Sequence, residues 1–193
     1  MSPHREVEIK LKVANPLALK ASLKEMGFRR TTPRLLERNI IFDFPDGRLR
    51  HAGCVLRLRT LGGTSLMTFK SKQRIQGSYK SREEFETELE SAVEMQRILE
   101  RLGLRAALRY NKRRTAYTAP GTTRGSRVLV YDETPAGDYI EIEGPPRWID
   151  QVAARLGYQR GDYVTANYPA LYSAARRMPR PRRARIKTPE RRA

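Results

Sequence analysis

The chain has 193 residues, with 39 Lys or Arg against 21 Asp or Glu, so it carries +18 with its histidines neutral. That length corresponds to one domain with some surplus at about 150 residues per domain, and 39% hydrophobic residues suffice for a buried core. No apolar run approaches the ~18 residues of a spanning helix. The start lacks a signal-peptide core. The lone Cys54 precludes an intramolecular disulfide and, with only His4 and His51, supplies no zinc set. The expected compartment is therefore the reducing cytoplasm, without a membrane, and any metal is expected to be a hard ion held by carboxylates.

In chain order, period-two alternation predicts a strand over 5–13. A helix follows over 16–26, opened by Asn15 and Pro16 and stopped by Gly27. Strands are predicted over 37–43, 54–61, 65–72 and 79–88, with turn signals at Asp46-Gly47 and Gly62-Gly63. A second helix spans 92–102, with Ser91 and Glu94 spaced as a capping box and Gly103 as its stop. Strands over 109–118, 126–133 and 138–143 follow, with Pro120-Gly121 between the first two. A third helix runs over 147–156 behind Pro145-Pro146 and ends at Gly157, and a fourth is placed around 165–175. Each of the first three helices ends in glycine followed by an apolar residue, the signature of a Schellman stop.

From Arg176 to Ala193 there are nine basic residues, one acid and three prolines. The sequence thus divides into a folded body, 1–175, and a basic, disordered tail, 176–193, that suits contact with a polyanion. The tail holds +8 of the charge and leaves +10 on the body, which points to a strongly anionic partner or substrate.

In a strand, residues i and i+2 share a face. Glu6, Glu8 and Lys10 therefore oppose Val7, Ile9 and Leu11, and Arg57 and Arg59 oppose Leu56 and Leu58. Thr68, Lys70 and Lys72 oppose Met67 and Phe69, whereas Arg82, Glu84 and Glu86 oppose Phe85. Lys112 and Arg114 share a face, as do Glu141 and Glu143 opposite Ile140 and Ile142. Singly, such faces are ordinary wet surface. Together they offer carboxylates at both ends of the chain and cations between them. The fold class read from this pattern is α+β, an antiparallel sheet with flanking helices; closed into a barrel with the charged faces inward, it would enclose a polar tunnel with the helices covering the apolar outside. Both signs of charge inside suit a phosphorylated ligand. Lys and Arg neutralise phosphate oxygens, and carboxylates hold Mg²⁺ or Mn²⁺ that bridges to them.

At these residues the sequence resembles the CYTH family of triphosphate tunnel metalloenzymes, which includes class IV adenylate cyclases, thiamine triphosphatases and inorganic triphosphatases. Glu6-Val7-Glu8-Ile9-Lys10 matches its E-x-E-x-K signature, and Leu56-Arg57-Leu58-Arg59 and Thr68-Phe69-Lys70 match its next strands. Arg82, Glu84 and Glu86, then Lys112-Arg113-Arg114, then Gly137-Asp138-Tyr139-Ile140-Glu141-Ile142-Glu143 follow in the family's order. Glu37-Arg38-Asn39-Ile40-Ile41-Phe42-Asp43 only partly follows the Q-x-D-x-Y-F of its cyclases.

The resemblance implies a closed antiparallel β-barrel of about eight strands, helices packed outside, whose tunnel binds a linear triphosphate: inorganic triphosphate, ATP or thiamine triphosphate. By it, Arg57, Arg59, Lys70, Arg82, Lys112 and Arg114 bind the phosphates. Glu6, Glu8, Glu141 and Glu143 hold Mg²⁺ or Mn²⁺, joined by Glu84 or Asp132, and with Lys10 form the catalytic set. The leading expectation is a divalent-metal-dependent triphosphate hydrolase. A class IV adenylate cyclase forming cyclic AMP and pyrophosphate shares the same motifs. A non-catalytic polyphosphate- or RNA-binding module fits the charge but not the carboxylates.

Overall fold

A computed structural model describes residues 4–76, 79–121, 127–164 and 166–177. The chain forms strand β1 (His4–Val13), helix α1 (Pro16–Glu25), β2 (Arg29–Asp43), α2 (Arg48–His51), β3 (Val55–Leu61), β4 (Thr64–Lys70), β5 (Arg74–Gln76) and β6 (Tyr79–Leu89). It continues through α3 (Ala92–Arg101), β7 (Arg105–Thr118), β8 (Val128–Thr134), β9 (Gly137–Glu143), α4 (Pro146–Arg155), a 3-10 turn (Arg160–Asp162) and α5 (Tyr168–Arg177).

The strands pair antiparallel in the order β1-β9-β8-β7-β2-β3-β4-β6, and β1 pairs with β6 to close an eight-stranded barrel. The short β5 adds to β6 beyond the end of β4. Closure leaves the barrel strands without free edges. It comes from two segments about 75 residues apart in sequence, Glu6 facing Arg82 and Val7 facing Ser81.

The period-two pattern sorts the side chains as expected. Ile9, Leu11, Leu129, Ile140 and Ile142 point outward and are covered by Leu19 and Leu23 of α1 and Ile149 and Val152 of α4. Phe42 and Leu58 point outward under Leu99 of α3, with Leu104 just beyond it. Each fully buried aliphatic side chain of this kind contributes roughly 1.5–3 kcal/mol, so the outer layer, not the tunnel, holds the barrel together. The helix ends follow the sequence. Asn15 Oδ1 accepts from the amides of Leu17 and Ala18, both at 3.1 Å. At the stop of α1, Gly27 takes φ +78°, and Phe28 N–H bonds back to the Leu23 carbonyl at 2.9 Å. The same bond joins Leu104 to Leu99 and Tyr158 to Ala153.

Several details differ from expectation. At α3, Ser91 caps the Glu94 amide at 3.2 Å, but the Glu94 carboxylate turns to Arg97 at 2.6 Å, so only half the capping box forms. Strand β2 begins at Arg29, not at 37, because residues 29–36 pair with β7 across register shifts at Arg30/Thr32 and Thr32/Leu35 that accommodate Pro33. β7 correspondingly starts at Arg105, and α2 and β5 are additional short elements. Helix α5 extends two residues past the 175 boundary, and the tail after Arg177 lies outside the described residues. Among the described residues, no helix is long and apolar enough to cross a membrane.

Candidate active site: a charged tunnel beside a tyrosine cluster

The inward faces enclose a cavity of about 610 Å³. Among the described residues seven cations line it, Lys10, Arg57, Arg59, Lys70, Arg82, Lys112 and Arg114, with five carboxylates, Glu8, Glu84, Glu86, Glu141 and Glu143. Register explains the grouping. Glu8 faces Glu143 across β1 and β9, and Lys10 faces Glu141 on the next inward rung. Arg57, Thr68 and Glu86 form one rung across β3, β4 and β6, and Val55, Lys70 and Glu84 form another.

Along the second wall the pairs are local. Lys70 Nζ lies 2.5 Å from Glu84, the Thr68 hydroxyl donates to Glu86 at 2.6 Å, and an Arg57 Nη lies 3.4 Å from that hydroxyl. The Nε–H groups of Arg57 and Arg59 are buried with no acceptor among the described residues. A buried guanidinium donor left unmade is costly; Arg59 Nε lies 3.9 Å from Glu37 Oε2.

The opposite wall is a network. Lys10 Nζ lies 2.7 Å from Glu141, and Arg114 reaches Glu141 at 2.6 Å. Arg114 also forks onto Asp132, Nε to Oδ1 at 2.8 Å and Nη2 to Oδ2 at 2.6 Å, and Lys112 donates to the same Oδ2 at 2.9 Å. Burial pushes the Glu141 carboxyl up, but Lys10, Lys112 and Arg114 overcome it and hold it well below the usual carboxylate range. Burial likewise opposes the charge on Lys10, and Glu141, Glu8 and Asp132 outweigh it, so its pKa is raised.

Of the residues expected from sequence, the structure brings Glu8, Lys10, Arg57, Arg59, Lys70, Arg82, Glu84, Lys112, Arg114, Glu141 and Glu143 to one cavity. Glu6 is described by its backbone alone, which faces Arg82 across β1 and β6. Asp132 does not open on the cavity. It is fully buried beneath it, with both oxygens taken by Arg114, Lys112 and the Tyr168 hydroxyl. This places Asp132 under the cations, not among the groups free to meet a metal.

Two further residues shape the site. Glu37 is fully buried, accepts from Asn39 at 2.9 Å and lies 3.4 Å from both Lys112 and Arg114 and 3.9 Å from Arg59. Burial alone would raise its pKa, but Arg114, Lys112, Arg57 and the Asn39 hydrogen bond bring it down to about 2. Its signal was available: Glu37 and Asn39 alternate with the apolar Ile40 and Phe42. The second is Tyr168 at the start of α5. Its hydroxyl donates to Asp132 at 2.6 Å, and its ring carries Lys10 at 4.6 Å and Lys112 at 4.3 Å from the centroid. With Tyr110, Tyr139 and Tyr172 it forms an aromatic cluster against the cavity. Burial, together with Glu141 and Asp132, raises its pKa well above the ordinary phenol value, so it remains a donor. Tyr168→Phe keeps the ring and loses one hydrogen bond to a charged acceptor. A loss of about 2 kcal/mol is expected in urea unfolding, and an unchanged midpoint would show that this bond holds nothing.

The carboxylates test whether a divalent ion fits. Glu8 and Glu143 are cross-strand partners on the cavity wall and supply oxygen donors only, which suits a hard cation. Among the described residues no group of three His, Cys, Asp or Glu side chains is placed to enclose a metal. Mg²⁺ needs no such cage, since it is held by one or two carboxylates, waters and substrate phosphates. The residues therefore fit.

Comparison with known proteins agrees with this architecture. The chain is 31% identical over 112 residues to a candidate adenylate cyclase of Methanocaldococcus jannaschii, a match covering 58% of this chain and 63% of that relative's length. The chain thus spans less than two thirds of the curated relative it matches. A candidate adenylate cyclase of Vibrio parahaemolyticus superposes with a TM-score of 0.75 at 19% identity, covering 89% of this chain and 99% of that one. A candidate adenylyl cyclase from Hippeastrum, described as having a dominant triphosphatase activity, superposes at 0.65 with 20% identity, covering 88% and 95%. These two likenesses concern the fold. The CYTH domain model matches residues 4–157, most of the barrel and its outer helices, and the chain belongs to the CYTH family.

Proposed function

We propose that this chain is a divalent-metal-dependent hydrolase that cleaves the terminal phosphoryl group of an inorganic or organic triphosphate inside the barrel. The observation that carries this reading is the described lining of one cavity, in which seven cations are interspersed with five carboxylates. A linear triphosphate offsets the excess of positive charge along the cavity, and guanidinium forks suit its oxygens.

In this reading Arg57, Arg59, Lys70 and Arg82 hold phosphate oxygens from one wall, and Lys112 and Arg114 from the other. Asp132 and Glu37 fix the second pair from beneath, so the cations are aimed before substrate arrives. Glu8 and Glu143 hold Mg²⁺ or Mn²⁺, with Glu6 as their neighbour on the strand; when bound, the ion supplies charge neutralisation and a polarised water. Water attacks the terminal phosphorus, the bridging P–O bond breaks, and orthophosphate and the shortened phosphate leave. Lys10, held charged by Glu141, adds to the field that stabilises the transferring group. Arg59→Ala is expected to weaken triphosphate binding about tenfold or more in calorimetry, because it removes one charge-assisted contact. An unchanged affinity would remove Arg59 from the grip.

The second reading is adenylate cyclisation, favoured by the 31% identical M. jannaschii relative. There a ribose hydroxyl attacks the α-phosphorus and pyrophosphate leaves. The test is product analysis after incubation with Mg²⁺ or Mn²⁺ and either inorganic triphosphate or ATP. Orthophosphate from triphosphate with ATP barely touched supports the hydrolase; cyclic AMP with stoichiometric pyrophosphate supports the cyclase. Binding without turnover of either would favour a non-catalytic phosphate-binding module.

A further inference from the structure

Outside the barrel, a single carboxylate gathers three donors. Asp150, on α4, accepts from the Tyr79 hydroxyl at the start of β6 at 2.6 Å. It also accepts from the Tyr163 hydroxyl at 2.8 Å and an Arg160 Nη at 2.6 Å, both in the segment that follows α4. Burial alone would raise its pKa, but these three bonds bring it below the usual aspartate value, so it keeps its charge. Bonds to an ionised acceptor are the strong ones. Asp150 is not among the described residues that line the tunnel, and the phosphate chemistry does not call for it.

What Asp150 holds does reach the tunnel. Among the described residues, the pairing of β6 with β1 stops at Lys80 opposite Glu8, while β9 occupies the other edge of β1 through Val13. Beyond Glu8 the edge that β6 leaves is taken up by residues 158–164. The Val164 N–H donates to the Lys10 carbonyl at 2.8 Å, and the Tyr158 hydroxyl donates to the Lys12 carbonyl at 3.0 Å. The 3-10 turn between them is closed by Asp162, whose carboxylate accepts from the Gln159 amide at 2.8 Å. Lys10 is thus held from outside by its backbone, while its Nζ meets Glu141 and the Tyr168 ring inside.

We propose, on the hydrolase reading above, that Asp150 is a positioning residue: through residues 158–164 it fixes the backbone at Lys10 and so aims the Lys10 ammonium at the transferring phosphoryl group. A lysine head rides on a flexible four-carbon stem, so its placement depends on what anchors its backbone. Small misplacements at a reacting centre are costly in rate. Arg57, Arg59 and Lys70 belong to β3 and β4, to which none of these bonds runs. Asp150 therefore governs the rate, and the phosphate grip is left to the other wall.

The test begins with Asp150→Asn, which keeps the side-chain volume and removes the charge. In steady-state hydrolysis of inorganic triphosphate with Mg²⁺, kcat is expected to fall about tenfold with KM within about twofold. Tyr163→Phe removes one of the three bonds and is expected to lower kcat about threefold. Hydrogen exchange without substrate is the second measurement. The Val164 amide is expected to exchange at least about tenfold faster in Asp150→Asn, with the Ile140 amide of the barrel unchanged. If Ile140 also loses protection, Tyr163→Phe becomes the deciding variant. Unchanged exchange at Val164, or a loss of activity carried by KM alone, would overturn the proposal. A wild-type chain that turns over no triphosphate fails the hydrolase reading instead. Faster Val164 exchange would then still support the hold on the Lys10 backbone, and unchanged exchange would overturn it.

Discussion

Glu8→Gln and Glu143→Gln are each expected to lower metal-dependent triphosphate turnover by at least about a hundredfold, several kcal/mol of transition-state stabilisation. The two carboxylates are cross-strand partners on the cavity wall. Each amide keeps the volume of its carboxylate but loses the charge a divalent ion needs. Stability is expected to change far less than activity, because the packed outer layer of the barrel is untouched. Activity and melting measured on the same preparations check this. A variant with full activity at ordinary Mg²⁺ concentrations would remove its residue from the metal site. A variant that lost activity only because it unfolded would make the pair structural.

Glu37→Gln should show the reverse balance. Glu37 lies beneath Arg59, Lys112 and Arg114 with no exposed surface. Removing one partner from a buried charge network leaves the others uncompensated and costs about 3–5 kcal/mol. The pH dependence follows from its pKa, lowered in the fold to about 2 from 4.5. A depressed carboxylate stabilises the fold above its unfolded pKa, and this contribution is lost as pH falls from about 4.5 toward 2. The stability gap between wild type and Glu37→Gln is therefore expected to be full at pH 7 and narrower by about 2 kcal/mol at pH 3. Urea unfolding at the two pH values reads it directly. A gap independent of pH would mean that the Glu37 charge is not what holds the cations down.

Glu8 and Glu37 differ in how legible they are in the sequence. Glu8 belongs to a run, Glu6-Val7-Glu8-Ile9-Lys10, in which polarity alternates cleanly and the chemistry is unusual for a wet face. The same holds for Arg57 and Arg59 and for Glu141 and Glu143, and these are the residues the barrel brings to the cavity. Glu37 sits in a stretch that begins eight residues earlier as Arg29-Arg30-Thr31-Thr32-Pro33, where no alternation exists. Pairing with β7 makes that stretch a strand, through register shifts that tertiary contacts impose.

Asp132 and Tyr168 were harder still. Asp132, next to Glu133 in the run Val128–Thr134, gives no sign whether it faces a metal or a cation; only the approach of Arg114, Lys112 and Tyr168 from two other elements settles its surroundings. Local pattern reports which face a side chain occupies. It does not report what the barrel brings to meet it, above all across the β1–β6 seam that closes the tunnel.

The central claim is that the barrel interior is built for a metal-bound triphosphate. Calorimetric titration of inorganic triphosphate into the protein, with and without Mg²⁺, tests it most directly. The account predicts one saturable site per chain, tightened by Mg²⁺ through Glu8 and Glu143 and weakened by Arg59→Ala. Absence of a saturable site, or binding that neither Mg²⁺ nor Arg59→Ala alters, would contradict it.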